Sequence, residues 1–302
     1  MQPIRTNEIS LLTGSSLRAH FELMRPANMV TAVADVLAGF AVAGLVGAER
    51  LPWLLAAGLA LYGGGVTLND LFDRRLDAME RPERPLPSGR VSALSACLQG
   101  VGLLSFGIAS AYHASAASGA LAAVLAIFAV VYDAIFKHIP LAGPILMGSC
   151  RGLDLLLGVS ANGDALAARW YMAAIPLAYI SGVTLLSSGE VHGGTRLQAY
   201  FSTALLVLAA LAAPLSGLPS LLRISVAALM LGLLAWRVAP AFYKVCLQPG
   251  PSEIRTAVKA GVICLVFLDA SIAAASQSLL YALGMVALVF LVSRLACLFP
   301  VT

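Results

Sequence analysis

Charged residues are scarce in this sequence. Only 11% of its 302 residues are Asp, Glu, Lys or Arg, against about 25% in a soluble domain. That shortage excludes an ordinary water-soluble fold. The net charge of +4 is too small for a nucleic-acid-binding surface, so no nucleic-acid partner is expected. The five cysteines (Cys97, Cys150, Cys246, Cys264, Cys297) form no CxxC and no Cys/His spacing, which excludes a zinc site and reads as small apolar residues within helices. His20, His113 and His138 likewise form no metal-binding cluster. A cleavable signal peptide is not expected either, because the first twenty residues are mostly polar and the first apolar run is too long for one.

What is present is hydrocarbon. Some 60% of residues are hydrophobic and the mean hydropathy is +0.89. Apolar runs of spanning length recur at 22–47, 51–72, 92–113, 116–136, 141–160, 169–188, 197–216, 219–240, 256–276 and 278–298. The expectation is an all-α, polytopic transmembrane bundle of nine or ten helices. Residues 1–20 form a polar N-terminus and residues 21–302 a single transmembrane domain. Trp53, Trp170 and Trp236 fall near the ends of these runs, as an interfacial belt requires. Lys and Arg gather in alternate loops (Arg74, Arg75, Arg81, Arg84 and Arg90; Lys137; Arg196; Lys244, Arg255 and Lys259), whereas the opposite loops hold Arg50 and Arg169. The positive-inside rule then places both termini and the loop after the second helix in the cytoplasm of a cell inner membrane.

The few acids are concentrated. Asn69, Asp70, Asp73 and Asp77 close the run that begins at Leu51. Asn69, Asp73 and Asp77 are spaced i, i+4, i+8 and share one helix face. The stretch from Leu51 to Asn69 spans about 28 Å of helix, so Asn69 arrives at the far interface. Clustered carboxylates at the edge of hydrocarbon call for a cation, and oxygen-only ligands point to Mg²⁺ held together with a substrate's phosphates. The following loop, Glu80-Arg81-Pro82-Glu83-Arg84-Pro85-Leu86-Pro87-Ser88-Gly89-Arg90, is stiffened by proline and carries guanidinium groups suited to phosphate.

This region resembles the first signature of the UbiA superfamily of membrane prenyltransferases. The resemblance rests on Asn69-Asp70-x-x-Asp73-x-x-x-Asp77, on Arg84-Pro85-Leu86-Pro87-Ser88-Gly89, on Arg25-Pro26-x-Asn28, on Gly64-Gly65, and on Tyr132 with Lys137. Cys150–Gly158 together with Ser188-Gly189-Glu190 is similar to a UbiA-like subgroup called EboC. The family resemblance implies a helical bundle around a lipid-open cavity. It also implies an Mg²⁺-dependent transfer of an isoprenyl group from a prenyl diphosphate to a small-molecule acceptor, aromatic or otherwise. Asn69, Asp70, Asp73 and Asp77 become the expected Mg²⁺ ligands, with Asp73, Asp77 and Glu190 catalytic. Asn28, Arg81, Arg84, Lys137, Arg151 and Asp154 are the expected substrate contacts.

The sequence departs from the family at the second acidic motif. Where another aspartate pair is expected, it reads Ser187-Ser188-Gly189-Glu190-Val191-His192-Gly193-Gly194. Glu190 is left as the single carboxylate, either as a site residue (with His192 as partner in a base) or as part of an interfacial turn. Two readings follow: the transferase, or a lipid or metabolite transporter on the same fold with weakened transferase activity. A CDP-alcohol phosphotransferase is excluded by the absence of its DGxxAR motif. Arg151 and Asp154, i and i+3 inside an apolar run, read either as functional charges or as a structural ion pair. Asp35 is placed on the face of Asn28, toward the cavity, and Asp269 reads as a structural hydrogen bond or a protonated acid.

Overall fold

The computed structural model describes residues 16–216, 220–277 and 279–299, and among them every regular element is helical. Most of the expected polar N-terminus, and the first residues of the runs at 219 and 278, lie outside the described residues. The elements are α1 (16–24), α2 (Pro26–Val42), α3 (Leu51–Glu80), α4 (Ala93–Ala114), α5 (Ala116–Val131) followed by a π turn (Tyr132–Phe136), α6 (Ala142–Val159) and α7 (Gly163–Arg169). After them come a 3-10 turn (Trp170–Ala173), α8 (Ala174–Ser187), α9 (Arg196–Ala212), α10 (Leu221–Leu247), α11 (Pro251–Ser276) and α12 (Leu279–Leu298). Eight of the described spans are long and apolar enough to cross a membrane, while α2 and α9 are shorter apolar helices of 17 residues. The protein is a multi-pass membrane bundle, and each of the ten expected runs has its helix.

Several boundaries differ from expectation, three of them with consequences for the site or the surface. The first run is broken at Arg25, whose backbone adopts φ +49° ahead of Pro26. A left-handed conformation is uncommon for a residue with a Cβ, and here it ends α1 and starts α2 on a new axis. The second run does not stop at 72, because α3 continues to Glu80. Its 30 residues span about 45 Å, more than the hydrocarbon thickness of about 30 Å, so its acidic last turns project beyond the apolar layer. The run at 219–240 continues to Leu247, which leaves Trp236 exposed in the middle of α10 beside the Arg237 guanidinium rather than at an end.

Helices α2 and α11 form the centre. Helix α2 packs against α3, α6, α11 and α12, and α11 also packs against α8 and α10. Two large apolar cores result: one joins α2 to α6 and α8–α12, and the other joins α2 to α3, α4, α5 and α6; a small third cluster packs α1 against α4. The outward faces of α4, α10 and α12 expose Leu98, Phe106, Leu229 and Phe290, a surface suited to lipid.

The crossing of α2 and α6 depends on two glycines. A Cβ at Gly39 would lie 1.9 Å from the Leu155 carbonyl oxygen, and one at Gly158 would lie 2.0 Å from that of Val36. Small residues let membrane helices approach backbone to backbone, and this approach brings Asp35 of α2 against Arg151 of α6. Gly158→Ala should therefore force the helices apart. It should lower stability by about 1–3 kcal/mol and depress the thermal unfolding midpoint in detergent. An unchanged midpoint would show that the crossing tolerates separation.

Candidate active site at the cavity mouth

The acidic stripe lies on one continuous helix, so its spacing becomes geometry. Asn69, Asp73 and Asp77 all line a cavity of about 350 Å³ enclosed by α2, α3, α5, α6, α8 and α11. Asp70 is rotated about 100° from Asn69 and lies outside that lining. Its buried Oδ1 instead accepts from Arg25 at 2.8 Å and lies 3.4 Å from Arg84. The left-handed turn at Arg25 thus delivers a guanidinium to Asp70 at the cavity's edge, where Arg25 itself lines the cavity, and strained backbone at such a position is characteristic of functional sites.

The π turn after α5 supplies the opposite wall. The Lys137 backbone N–H donates to the Tyr132 carbonyl at 2.8 Å, a wide i to i+5 closure that is frequent at functional sites. The Lys137 ammonium reaches Asn69 Oδ1 at 3.2 Å and also bonds the Asp73 carboxylate. Asp133 accepts from Asn69 Nδ2 at 2.5 Å and lines the cavity. Asp133 is missing from the expected site residues, although its position in the turn between Tyr132 and Lys137 was a signal that could have revealed it.

The proline-rich loop closes the rim. Arg84 donates to Asp77 at 2.9 Å, and Arg81 lies 3.4 Å from Glu190. Arg255, at the start of α11, donates to the Glu190 backbone carbonyl at 3.0 Å. No sequence motif announced Arg255, because it stands 65 residues away in the chain. Burial pushes the Glu190 carboxyl up from its ordinary value, against the lowering influence of Arg81, Arg25 and Arg255. His192 is exposed and outside the cavity lining, so the structure does not pair it with Glu190 in a shared base.

The remaining expected residues line the same cavity. Asn28 is buried and lines the cavity. Arg151 and Asp154 line it too, but away from the mouth. Arg151 donates to Asp35 Oδ2 and to Thr31 Oγ1, each at 2.5 Å, and its guanidinium carbon lies 4.8 Å from the Tyr62 ring centre. The expectation that Asp35 points into the cavity is corrected: it is 0% exposed and belongs to this ion pair. Asp269, expected to make a structural hydrogen bond or hold a proton, lies in side-chain hydrogen-bond contact with the Asp35 carboxyl.

At the mouth, then, acids and cations are interleaved around an opening. Among the described residues no three His, Cys, Asp or Glu converge closely enough to enclose a metal alone. Two cavity carboxylates and an amide oxygen on one face suit Mg²⁺, which takes one or two carboxylates and completes its shell with substrate phosphate and water. Such a donor set does not suit a self-sufficient metal cage.

Comparison with known proteins places the chain in a family. The sequence is similar to the digeranylgeranylglyceryl phosphate synthase of Methanothrix thermoacetophila, 34% identical over 186 residues that cover 59% of this chain and 70% of that one. The fold is similar to a UbiA homolog from Aeropyrum pernix K1 (TM-score 0.66, 16% identity, 81% of this chain and 96% of that one). It is also similar to a UbiA homolog from Archaeoglobus fulgidus bound to DMAPP and Mg²⁺ (TM-score 0.60, 18% identity, 84% and 98%). The pattern of the UbiA prenyltransferase family matches residues 29–189, more than half of the chain and all of the acidic stripe, the π turn and the deeper ion pair. The chain belongs to the UbiA prenyltransferase family.

Proposed function

We propose that the protein transfers an isoprenyl group from a prenyl diphosphate to a small-molecule acceptor, with Mg²⁺ as cofactor. The observation that carries this reading is the gathering of Asn69, Asp73 and Asp77 with Arg81, Arg84 and Lys137 at one cavity mouth. Asn69, Asp73 and Asp77 would hold Mg²⁺ jointly with the diphosphate; bound there, it would neutralise charge on the departing group. Lys137 and Arg84, which lie against the acids, would turn to the diphosphate oxygens, and Arg81 would join them from the loop. Asp70 would act indirectly, holding Arg25 and Arg84 in register. As the allylic C–O bond breaks, its electron pair leaves with the diphosphate and an acceptor lone pair forms the new bond. Glu190, buried at the rim, would receive the acceptor's proton. The apolar walls from α3, α5 and α8 would keep water from the electron-poor allylic carbon. The Lys/Arg-rich loops on the mouth side support a cytoplasmic opening.

With geranyl, farnesyl or geranylgeranyl diphosphate and a broad acceptor panel, purified protein should release diphosphate. EDTA should stop the release and added Mg²⁺ should restore it. Absence of Mg²⁺-dependent release from every donor would contradict the reading. The thinned second acidic motif favours one rival, transport of a polar lipid or metabolite on the same fold. Full cellular function in Asp73→Ala would support transport, and loss of function supports the transferase.

A further inference from the structure

The cations of the active cavity are all paired. Arg25, Arg81, Arg84, Lys137 and Arg151 line it, and each lies within ion-pair distance of a carboxylate. A second groove, of about 310 Å³ between α10, α11 and α12, is built differently. Arg237 of α10 and Lys259 of α11 line it with Thr256 and Ser293, and no acid lines it among the described residues. Neither cation has an ion-pair or hydrogen-bond partner among the described residues. The Arg237 guanidinium carbon lies 5.1 Å from the Trp236 ring centre. Arg237, Thr256, Lys259 and Ser293 are exposed, so the groove opens outward.

The groove lies at headgroup level on the mouth side of the bundle. Arg255, one turn before Lys259 on α11, donates to the Glu190 carbonyl at the mouth. From Arg237 back to Leu221, from Lys259 on to Ser276 and from Ser293 back to Leu279, the helices run about 24, 26 and 21 Å to their far ends. Against a hydrocarbon layer of about 30 Å, the polar groups of all three helices reach the near interface together, the two long cations by snorkelling. Trp236, exposed at the same level, then has an interfacial place although it falls in the middle of its helix. We propose that this groove binds the phosphate of an anionic phospholipid in the leaflet on the mouth side. Arg237 is suited to take two phosphate oxygens at once, and Lys259 adds a point charge. Ser293 offers a hydroxyl, whereas Thr256 already donates to the Ser252 carbonyl at 2.8 Å. Ile263, one turn deeper than Lys259 on the same face of α11, and Cys264 give the groove an apolar floor for the acyl chains. Two cations without a carboxylate disfavour a zwitterionic lipid, whose own cationic group would approach them without a counter-charge. A bound lipid ties α10, α11 and α12 together behind the active cavity, which α11 lines from another face through Val258 and Val262. The inference does not depend on which reaction the cavity supports.

The test is native mass spectrometry of the delipidated full chain in detergent, with dioleoylphosphatidylglycerol and dioleoylphosphatidylcholine at equal concentration. A single bound phosphatidylglycerol should outnumber bound phosphatidylcholine about tenfold or more, each cation contributing about fivefold. Arg237→Gln, and independently Lys259→Gln, should lower that preference by about this fivefold factor. Lys244 is exposed on α10 but outside the groove, so Lys244→Gln should leave the preference unchanged. Millimolar inorganic phosphate should not displace the lipid. The inference is overturned if the two lipids bind equally or if neither groove variant lowers the preference. It is equally overturned if Lys244→Gln matches the groove variants, which would mean general surface attraction, or if inorganic phosphate removes the lipid, which would make the groove a site for the free ion.

Discussion

Asp73→Asn should cut Mg²⁺-dependent diphosphate release by about 10³-fold, equivalent to about 4 kcal/mol of transition-state stabilisation. Asparagine keeps the size and the hydrogen bond to Lys137 but removes the charge. Asp73 is the cavity acid on which two functions converge: an oxygen facing the space a metal-bound diphosphate needs, and the contact that holds Lys137 over the same space. Loss of the charge would weaken binding of the cation and leave the Lys137 ammonium a neutral partner in place of an ion pair, and both effects would fall on the leaving group. Asp70→Asn provides the contrast. Its carboxyl lies outside the cavity and acts on Arg25 and Arg84, so its cost should be clearly smaller than that of Asp73→Asn. Diphosphate release from purified protein checks both variants. Equal losses would mean that the two acids play the same role, against the assignment made from the cavity lining.

Removal of Arg151 should produce the largest loss of stability. Arg151 is 5% exposed and, among the described residues, is the cation bonded to Asp35. Arg151→Met would leave buried carboxyls on α2, α6 and α11 without a counter-charge. Breaking a buried pair from one side costs about 3–5 kcal/mol, enough to lower the unfolding midpoint sharply or to abolish recovery from the membrane. Arg151→Met combined with Asp35→Leu removes both charges and should regain more than half of that loss. The comparison is made by size-exclusion of detergent-solubilised protein after heating. If the double variant is no better than the single one, Arg151 stabilises the bundle through its packing on Tyr62 rather than through Asp35.

The contrast between these two sites shows what sequence can and cannot disclose. The mouth was legible because its acids sit on one helix at four-residue spacing, so a single periodicity fixes their common face, and the adjacent loop carries the arginines within a few residues. Lys137 was legible from its own short signature. The deeper cluster was only half legible. Arg151 and Asp154 betray themselves as charges in an apolar run, but their partners Asp35 and Asp269 lie 116 residues before Arg151 and 115 residues after Asp154. Only the close crossing at Gly39 and Gly158, and the central place of α11, bring them together. Asp35 seemed to face the cavity because a helical face was extrapolated from Asn28, without knowledge that α6 approaches on that side. Helix ends were blurred for a related reason. Hydropathy marks where the bilayer ends, whereas α3 and α10 continue past it for as long as their backbone hydrogen bonds are satisfied and nothing breaks them.

The central claim is that a metal-bound diphosphate sits between Asn69, Asp73 and Asp77 on one side and Arg81, Arg84 and Lys137 on the other. Mn²⁺ in place of Mg²⁺ allows that to be measured directly, by electron-nuclear double resonance on the protein with a prenyl thiolodiphosphate. The account predicts a resolved coupling between the Mn²⁺ electron spin and ³¹P, present in the wild type and absent in Asp73→Asn. Bound Mn²⁺ with no ³¹P coupling, or a coupling unchanged by Asp73→Asn, would contradict it.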